Sequence, residues 1–262
     1  MRHSLYVFLL LTLVGCSSTP DDKNYTAEEF YSQAMEAMDD HNYEQAVKKL
    51  EKLQSRYPYG RYAQQAQMEI AYAYYKQGEP APALSAIERF YKQYPNNERL
   101  DYMYYLKGLI HFDENLGGVV NSLSQQDPAE RDPKSLRDSF DTFKELVTRF
   151  PNSRYAPDAR LRMQYLLNTL AGSDVHAASY YLRRGAYVAA VNRAKTVLTD
   201  YPRTPQTRDA LQIMVQAYDA MGLYELRDDA QRVLEVNLAK SEVAPTAKAL
   251  PDKSAAWWKF WN

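Results

Sequence analysis

The stretch AYAYYKQGEPAPALSAIERFYKQYP, residues 71–95, decides the fold. Small and apolar residues recur three and four apart on both sides of Gly78, a helical period interrupted once. Tyr94-Pro95 closes the stretch, because proline cannot continue a helix and pushes the residue before it out of the helical region. Two helices joined at Gly78 are therefore expected. The aromatic-Pro pair returns as Tyr57-Pro58, Phe150-Pro151 and Tyr201-Pro202, so that successive prolines lie 37, 56 and 51 residues apart. A helical pattern of similar shape precedes each pair. No stretch alternates with a period of two for long enough to make a strand.

Aligning the prolines on the closing proline of a tetratricopeptide repeat tests the pattern. That repeat spans about 34 residues, with small residues in both helices and an aromatic in the first. The unit ending at Pro58 supplies Ala34, Ala46 and Leu50. The unit ending at Pro95 supplies Ala71, Tyr74, Ala83 and Ile87, and the unit ending at Pro202 supplies Ala178, Tyr181, Ala190 and Ala194, with Gly185 at its turn. A last unit shows Tyr218 and Gly222. The unit ending at Pro151 has Gly108 at its first small position and an insertion of roughly residues 113–134; an extra helix, about 156–170, precedes the fourth unit. One helix pair cannot bury its apolar face alone, so the units must stack. The expected fold is all-α, a tetratricopeptide-repeat superhelix of about five helix pairs.

In such repeats the first helix of each unit lines the concave face. Its inner positions carry Glu28, Tyr31, Met35 and Met38 in the first unit. The second has Gln65, Met68, Tyr72 and Tyr75, and the third Tyr102, Tyr105, Leu109 and Phe112. A surface of Tyr, Met and Phe suits an extended peptide with aromatic or apolar side chains. The same residues also suit packing against neighbouring helices. The chain holds 23 Tyr against 8 Phe, and tyrosine favours half-exposed positions where an apolar ring meets a polar partner.

The first residues form a basic start, Arg2, an apolar run over 5–14, and Leu13-Val14-Gly15-Cys16, which contains the only cysteine. A ten-residue run is too short to span a bilayer, which takes about 20, so it reads as a processed signal, 1–15. Leu-Val-Gly-Cys looks like a lipobox, in which Cys16 takes a diacylglyceryl group and then an N-acyl chain. Ser17 rather than Asp after it favours the outer membrane. Without Arg2 the mature chain has 31 basic against 33 acidic residues, no global field for nucleic acid. His41, His111 and His176 are scattered, and no phosphate loop, metal spacing or nucleophile elbow occurs. Neither an enzyme nor a bound cofactor or metal is expected. Trp257, Trp258 and Trp261 all fall in the last six residues, after an Ala-, Pro- and Lys-rich stretch that reads as a flexible tether. This end suits a membrane interface or a pocket on a partner equally.

Several phrases together resemble the BamD, or ComL, family of outer-membrane assembly lipoproteins. They are Arg56-Tyr57-Pro58-Tyr59-Gly60, Tyr94-Pro95, Arg131-Asp132-Pro133, Phe150-Pro151-Asn152-Ser153, the run 184–193 ending in Val191-Asn192-Arg193, Asp200-Tyr201-Pro202, and Thr207-Arg208-Asp209-Ala210-Leu211. The likeness covers about residues 25–236. It implies a non-catalytic subunit at the periplasmic face of the outer membrane, working with a BamA-like barrel insertase and other assembly lipoproteins on unfolded barrel proteins. It implies repeats on the substrate side over 26–151 and repeats on the BamA side over 152–238; a lipidated tether over 16–25 precedes them and the tail over 239–262 follows, outside the likeness. It makes Arg193, with Arg184 and Asp209, candidates for the BamA contact; Arg193 suits an ion pair within its own repeat as well. A lipid-anchored repeat scaffold for peptidoglycan or division machinery would share the same anchor and helices.

Overall fold

The computed structural model describes residues 24–116 and 133–240. Among these, ten helices and no strand are present. They are α1 (Ala27–Asp39), α2 (Tyr43–Arg56), α3 (Arg61–Gln77), α4 (Pro80–Gln93), α5 (Leu100–Leu116), α6 (Lys134–Arg149), α7 (Ala156–Arg183), α8 (Tyr187–Asp200), α9 (Thr207–Ala220) and α10 (Tyr224–Lys240). The five expected helix pairs are all there. The chain divides into two compact units between Ala66 and Gln67, inside α3.

In the first unit α1 packs on α2. Thr26 starts α1 with a capping box: its hydroxyl accepts from the Glu29 N–H at 3.2 Å, and the Glu29 carboxylate accepts from the Thr26 N–H at 2.7 Å. Ala34, Met38, Ala46, Leu50 and Leu53 are fully buried. The Tyr57 hydroxyl donates to the Tyr25 carbonyl at 2.8 Å, fastening the end of the pair to its start.

In the second unit α4 to α10 each pack on the next, and α7 also meets α9. Ala71, Ala83, Ile87, Ala178, Ala190 and Ala194 are all fully buried, so the small positions read from the sequence are the seams between helices. The third unit solves the seam differently. Gly108 stands where the others have alanine, and Phe143 where they have Leu50, Ile87 or Ala194. The missing Cβ of Gly108 makes room for the Phe143 ring, and Ser139 Oγ donates to the Gly108 carbonyl at 3.0 Å.

The repeats share their turns to the atom. Tyr57, Tyr94, Phe150 and Tyr201 cap their helices at φ −127°, −133°, −128° and −127°, each N–H bonding four residues back at 2.7–3.0 Å. Within pairs, Gly78, Gly185 and Gly222 sit at φ +76°, +72° and +71°. The next residue's N–H reaches back five positions, from Glu79 to Tyr74, Ala186 to Tyr181 and Leu223 to Tyr218. In the first pair the same bond runs from Asn42 to Ala37 at 2.8 Å, but the left-handed residue is His41, at φ +60°. A side chain there costs about 1–2 kcal/mol, part of which glycine returns as chain entropy. His41→Gly is expected to raise stability by about 0.5–1 kcal/mol, read as a higher urea midpoint at unchanged slope.

Two expectations are corrected. The extra helix over 156–170 and the first helix of the fourth unit are one 28-residue helix, α7. No proline interrupts it, and Ala171 and Val175, buried on either side of Gly172, hold the middle turn against the rest of the fold. The insertion also starts later than residue 113, since α5 continues to Leu116, and α6 begins at Lys134; residues 117–132 lie outside the described residues.

Candidate functional site

The inner positions of α3 and α5 meet the N-terminal part of α7 in one polar-aromatic cluster of the second unit. The Tyr75 hydroxyl donates to Asp113 Oδ2 at 2.6 Å, and the Tyr105 hydroxyl to Asp158 Oδ2 at 2.7 Å. Arg162 Nε donates to the same Asp158 oxygen at 2.6 Å, one turn along α7, while its guanidinium lies 4.9 Å over the Phe112 ring. Tyr155 stacks on Tyr105 with ring centres 4.8 Å apart and tilts against Tyr102 at 5.8 Å. Tyr72 and Tyr75 lie 6.3 Å apart, one turn along α3.

Burial sets the chemistry of these groups. It pushes the Tyr75 and Tyr105 phenols well above their ordinary range, and the Asp113 and Asp158 carboxylates that accept from them push further. Burial also raises Tyr102, with Glu69 adding to it. Burial alone would lower Arg162, but Asp158 and Tyr105 outweigh it and the guanidinium is held charged. A phenol raised in the folded state contributes stability that is complete below its unfolded pKa, about 10, and lost as pH rises toward the folded value. The part of the stability that these phenols contribute is therefore expected to be lost only above about pH 10. Tyrosinate absorbance of the folded chain should lag that of the unfolded chain; coincident titration curves would contradict this burial.

The exposed groove expected from the sequence is corrected in part. Met68, Tyr72 and Tyr102 are buried, at 3%, 6% and 3% exposure, as are Met38 and Phe112. Tyr155, just ahead of α7, packs against Tyr102 on α5. Tyr75, Tyr105 and Leu109 stay half-buried, with rims open to solvent. In the first unit Tyr31 and Met35 are half-buried too, with the Tyr31 ring 5.6 Å from Tyr62. Asp113, Tyr155, Asp158 and Arg162 were not singled out from the sequence. The Asp158–Arg162 spacing of four on a helix was the available signal.

Of the candidate partner residues, Arg193 bonds within its own repeat, donating to Asp174 Oδ1 at 3.2 Å, yet leaves 52% of its side chain exposed while Asp174 is 9% exposed. Arg184 and Asp209 are exposed, at the end of α7 and the first turn of α9. Cys16 and the tryptophans lie outside the described residues. Among the described residues no group of three or more His, Cys, Asp or Glu side chains is set to hold a metal. No described helix is long and apolar enough to cross a membrane.

Helix pairs closed by aromatic-Pro turns, with an aromatic wall on their first helices, define a helical-repeat scaffold. Residues 23–233 match the YfiO family, described as outer membrane lipoprotein. The chain is 42% identical to the outer membrane protein assembly factor BamD of Neisseria meningitidis serogroup A over 98% of both chains. It is 38% identical to that of Vibrio cholerae over 87% of this chain and 95% of the relative. For Haemophilus influenzae the identity is 32% over 90% of each. The chain belongs to the YfiO/BamD family of outer membrane lipoproteins.

Proposed function

We propose that the chain is a non-catalytic subunit of the machinery that assembles β-barrel proteins in the outer membrane. The observation that carries this reading is the end-to-end match, at 42% identity, to relatives named outer membrane protein assembly factor. The sequence supports an anchor of diacylglycerol and an N-acyl chain on Cys16, holding the repeats at the periplasmic face. A single acyl chain binds membranes only marginally, whereas several together anchor stably. The second unit contributes Arg184 at the end of α7, Arg193 on α8 and Asp209 on α9, which offer charge to a BamA-like insertase. The half-open aromatic rims, Tyr31 and Met35 in the first unit and Tyr75 and Tyr105 in the second, suit the aromatic-ended segments of unfolded barrels. Tethering places captured segments near the insertase at high effective concentration.

The direct test is to extract membranes in mild detergent, pull on a tag placed away from the tail, and identify what co-purifies. A stoichiometric barrel insertase supports the reading. Wall or division proteins without an insertase would instead favour the scaffold for that machinery. Arg193→Glu is expected to reduce insertase recovery, measured beside a thermal scan because Asp174 also loses its ion pair. For the substrate side, Tyr31→Ala with Met35→Ala is expected to weaken binding of an aromatic-ended barrel peptide about tenfold in fluorescence polarisation, equivalent to about 1.4 kcal/mol. Unchanged affinity would remove these residues from the binding surface.

A further inference from the structure

The last helix has a side that no described helix covers. Ala230 and Leu234 are buried where α10 packs on α9. Beside that seam Leu226, Val233 and Val236 are 46%, 49% and 55% exposed. At about 100° per residue these three fall within about 80° of arc, so they form one apolar stripe along the helix. By contrast α8, an interior helix, has α7 on one side and α9 on the other. A repeat array stays soluble when its terminal unit presents a polar outer face, which this stripe interrupts.

The chain continues after α10 with residues 241–262, ending in Ala255-Ala256-Trp257-Trp258-Lys259-Phe260-Trp261-Asn262. We infer that this aromatic end folds back onto the Leu226–Val233–Val236 stripe and caps the last repeat. Two observations favour it over a foreign occupant. The first is reach. From Lys240 to the level of Leu226 is about 21 Å along the helix, well within the roughly 53–58 Å that residues 241–256 could bridge at full extension. The second is charge. α10 carries Glu225, Asp228, Asp229 and Glu235 against Arg227, Arg232 and Lys240, while from residue 248 on the tail carries Lys248, Lys253 and Lys259 against Asp252. A Trp buries 150–250 Å², so the cluster carries more than enough apolar surface for three half-exposed aliphatic side chains.

The sequence makes the test specific. Its three tryptophans are all in the tail, so intrinsic Trp emission reports on nothing else. The probe is the mature chain, residues 16–262 with Cys16→Ala so that no acyl group is attached, at low concentration without membranes. The expected result is a blue-shifted emission weakly quenched by acrylamide. Val233→Lys with Val236→Lys should shift it red and raise quenching several-fold, with the helical circular dichroism unchanged. Should that pair lose helical signal, Leu226→Lys on the same stripe is read instead. Water-like emission in the unsubstituted chain overturns the inference. So does a blue shift that needs lipid vesicles, which would assign the tail to the membrane interface, or one that depends on protein concentration, which would assign it to a second copy. Emission that stays blue in the lysine variants also overturns it.

Discussion

Replacing Arg162 by Ala is expected to lower the unfolding free energy by about 3 kcal/mol, the low end of the usual loss when one partner of a buried ion pair is removed, because the Asp158 side chain keeps 20% exposure. Arg162 is 4% exposed, and its partner Asp158 would keep only the Tyr105 hydroxyl. The stem and guanidinium over Phe112 would go too, leaving a cavity beside that ring. Urea unfolding of the mature chain measures the loss. Arg162→Met with Asp158→Asn, which removes both charges and keeps most of the volume, should lose much less than Arg162→Ala. If the single and double variants cost the same, charge left unpaired is not the cause. A loss below about 1 kcal/mol for Arg162→Ala would mean that water reaches Asp158 freely.

Gly108→Ala is expected to cost about 1–3 kcal/mol, the range for overpacking a tight core. An added Cβ would lie 2.6 Å from Cδ1 of Phe143 and nearer still to Cε1. Phe143 is fully buried and meets Tyr105 and Phe112 on other sides, so its ring has nowhere to retreat. Phe143→Leu in the same chain should recover part of the loss, because it restores the alanine-with-aliphatic pairing that Ala71 and Ile87 have in the unit before. Additive losses in the double variant would show that the two positions are not a matched pair.

These two sites mark where the sequence was legible and where it was not. Each aromatic-Pro pair and each turn glycine was readable because proline and left-handed backbone restrict the local chain strongly. His41 hid the fourth such turn, since only its backbone, not its residue type, belongs to the set. Gly108 was placed correctly as a small position, but its pairing with Phe143 depends on how α5 and α6 cross. The inner positions of α3 and α5 were also identified, whereas the burial of Tyr72 and Tyr102 was not. Helical periodicity tells which way a residue faces, and stacking of the next first helix decides how much solvent remains there. Asp158 and Arg162 show the same limit: four apart they read as an ordinary surface pair, and the stacked helices of the second unit turn them into a buried one.

The unbroken α7 also acts as a transmission shaft. At 28 residues it is about 42 Å long, and it serves the third unit with one end and the fourth with the other. One residue added or removed in its middle would turn everything beyond by about 100°. Val175 and Ala178 would then swing out of the seams they share with α8 and α9. An added residue in a connection between helices changes only a length; in α7 it changes a phase. The two ends of this helix are thus geared together, and a fault at Gly172 would be felt at Arg193 without touching it.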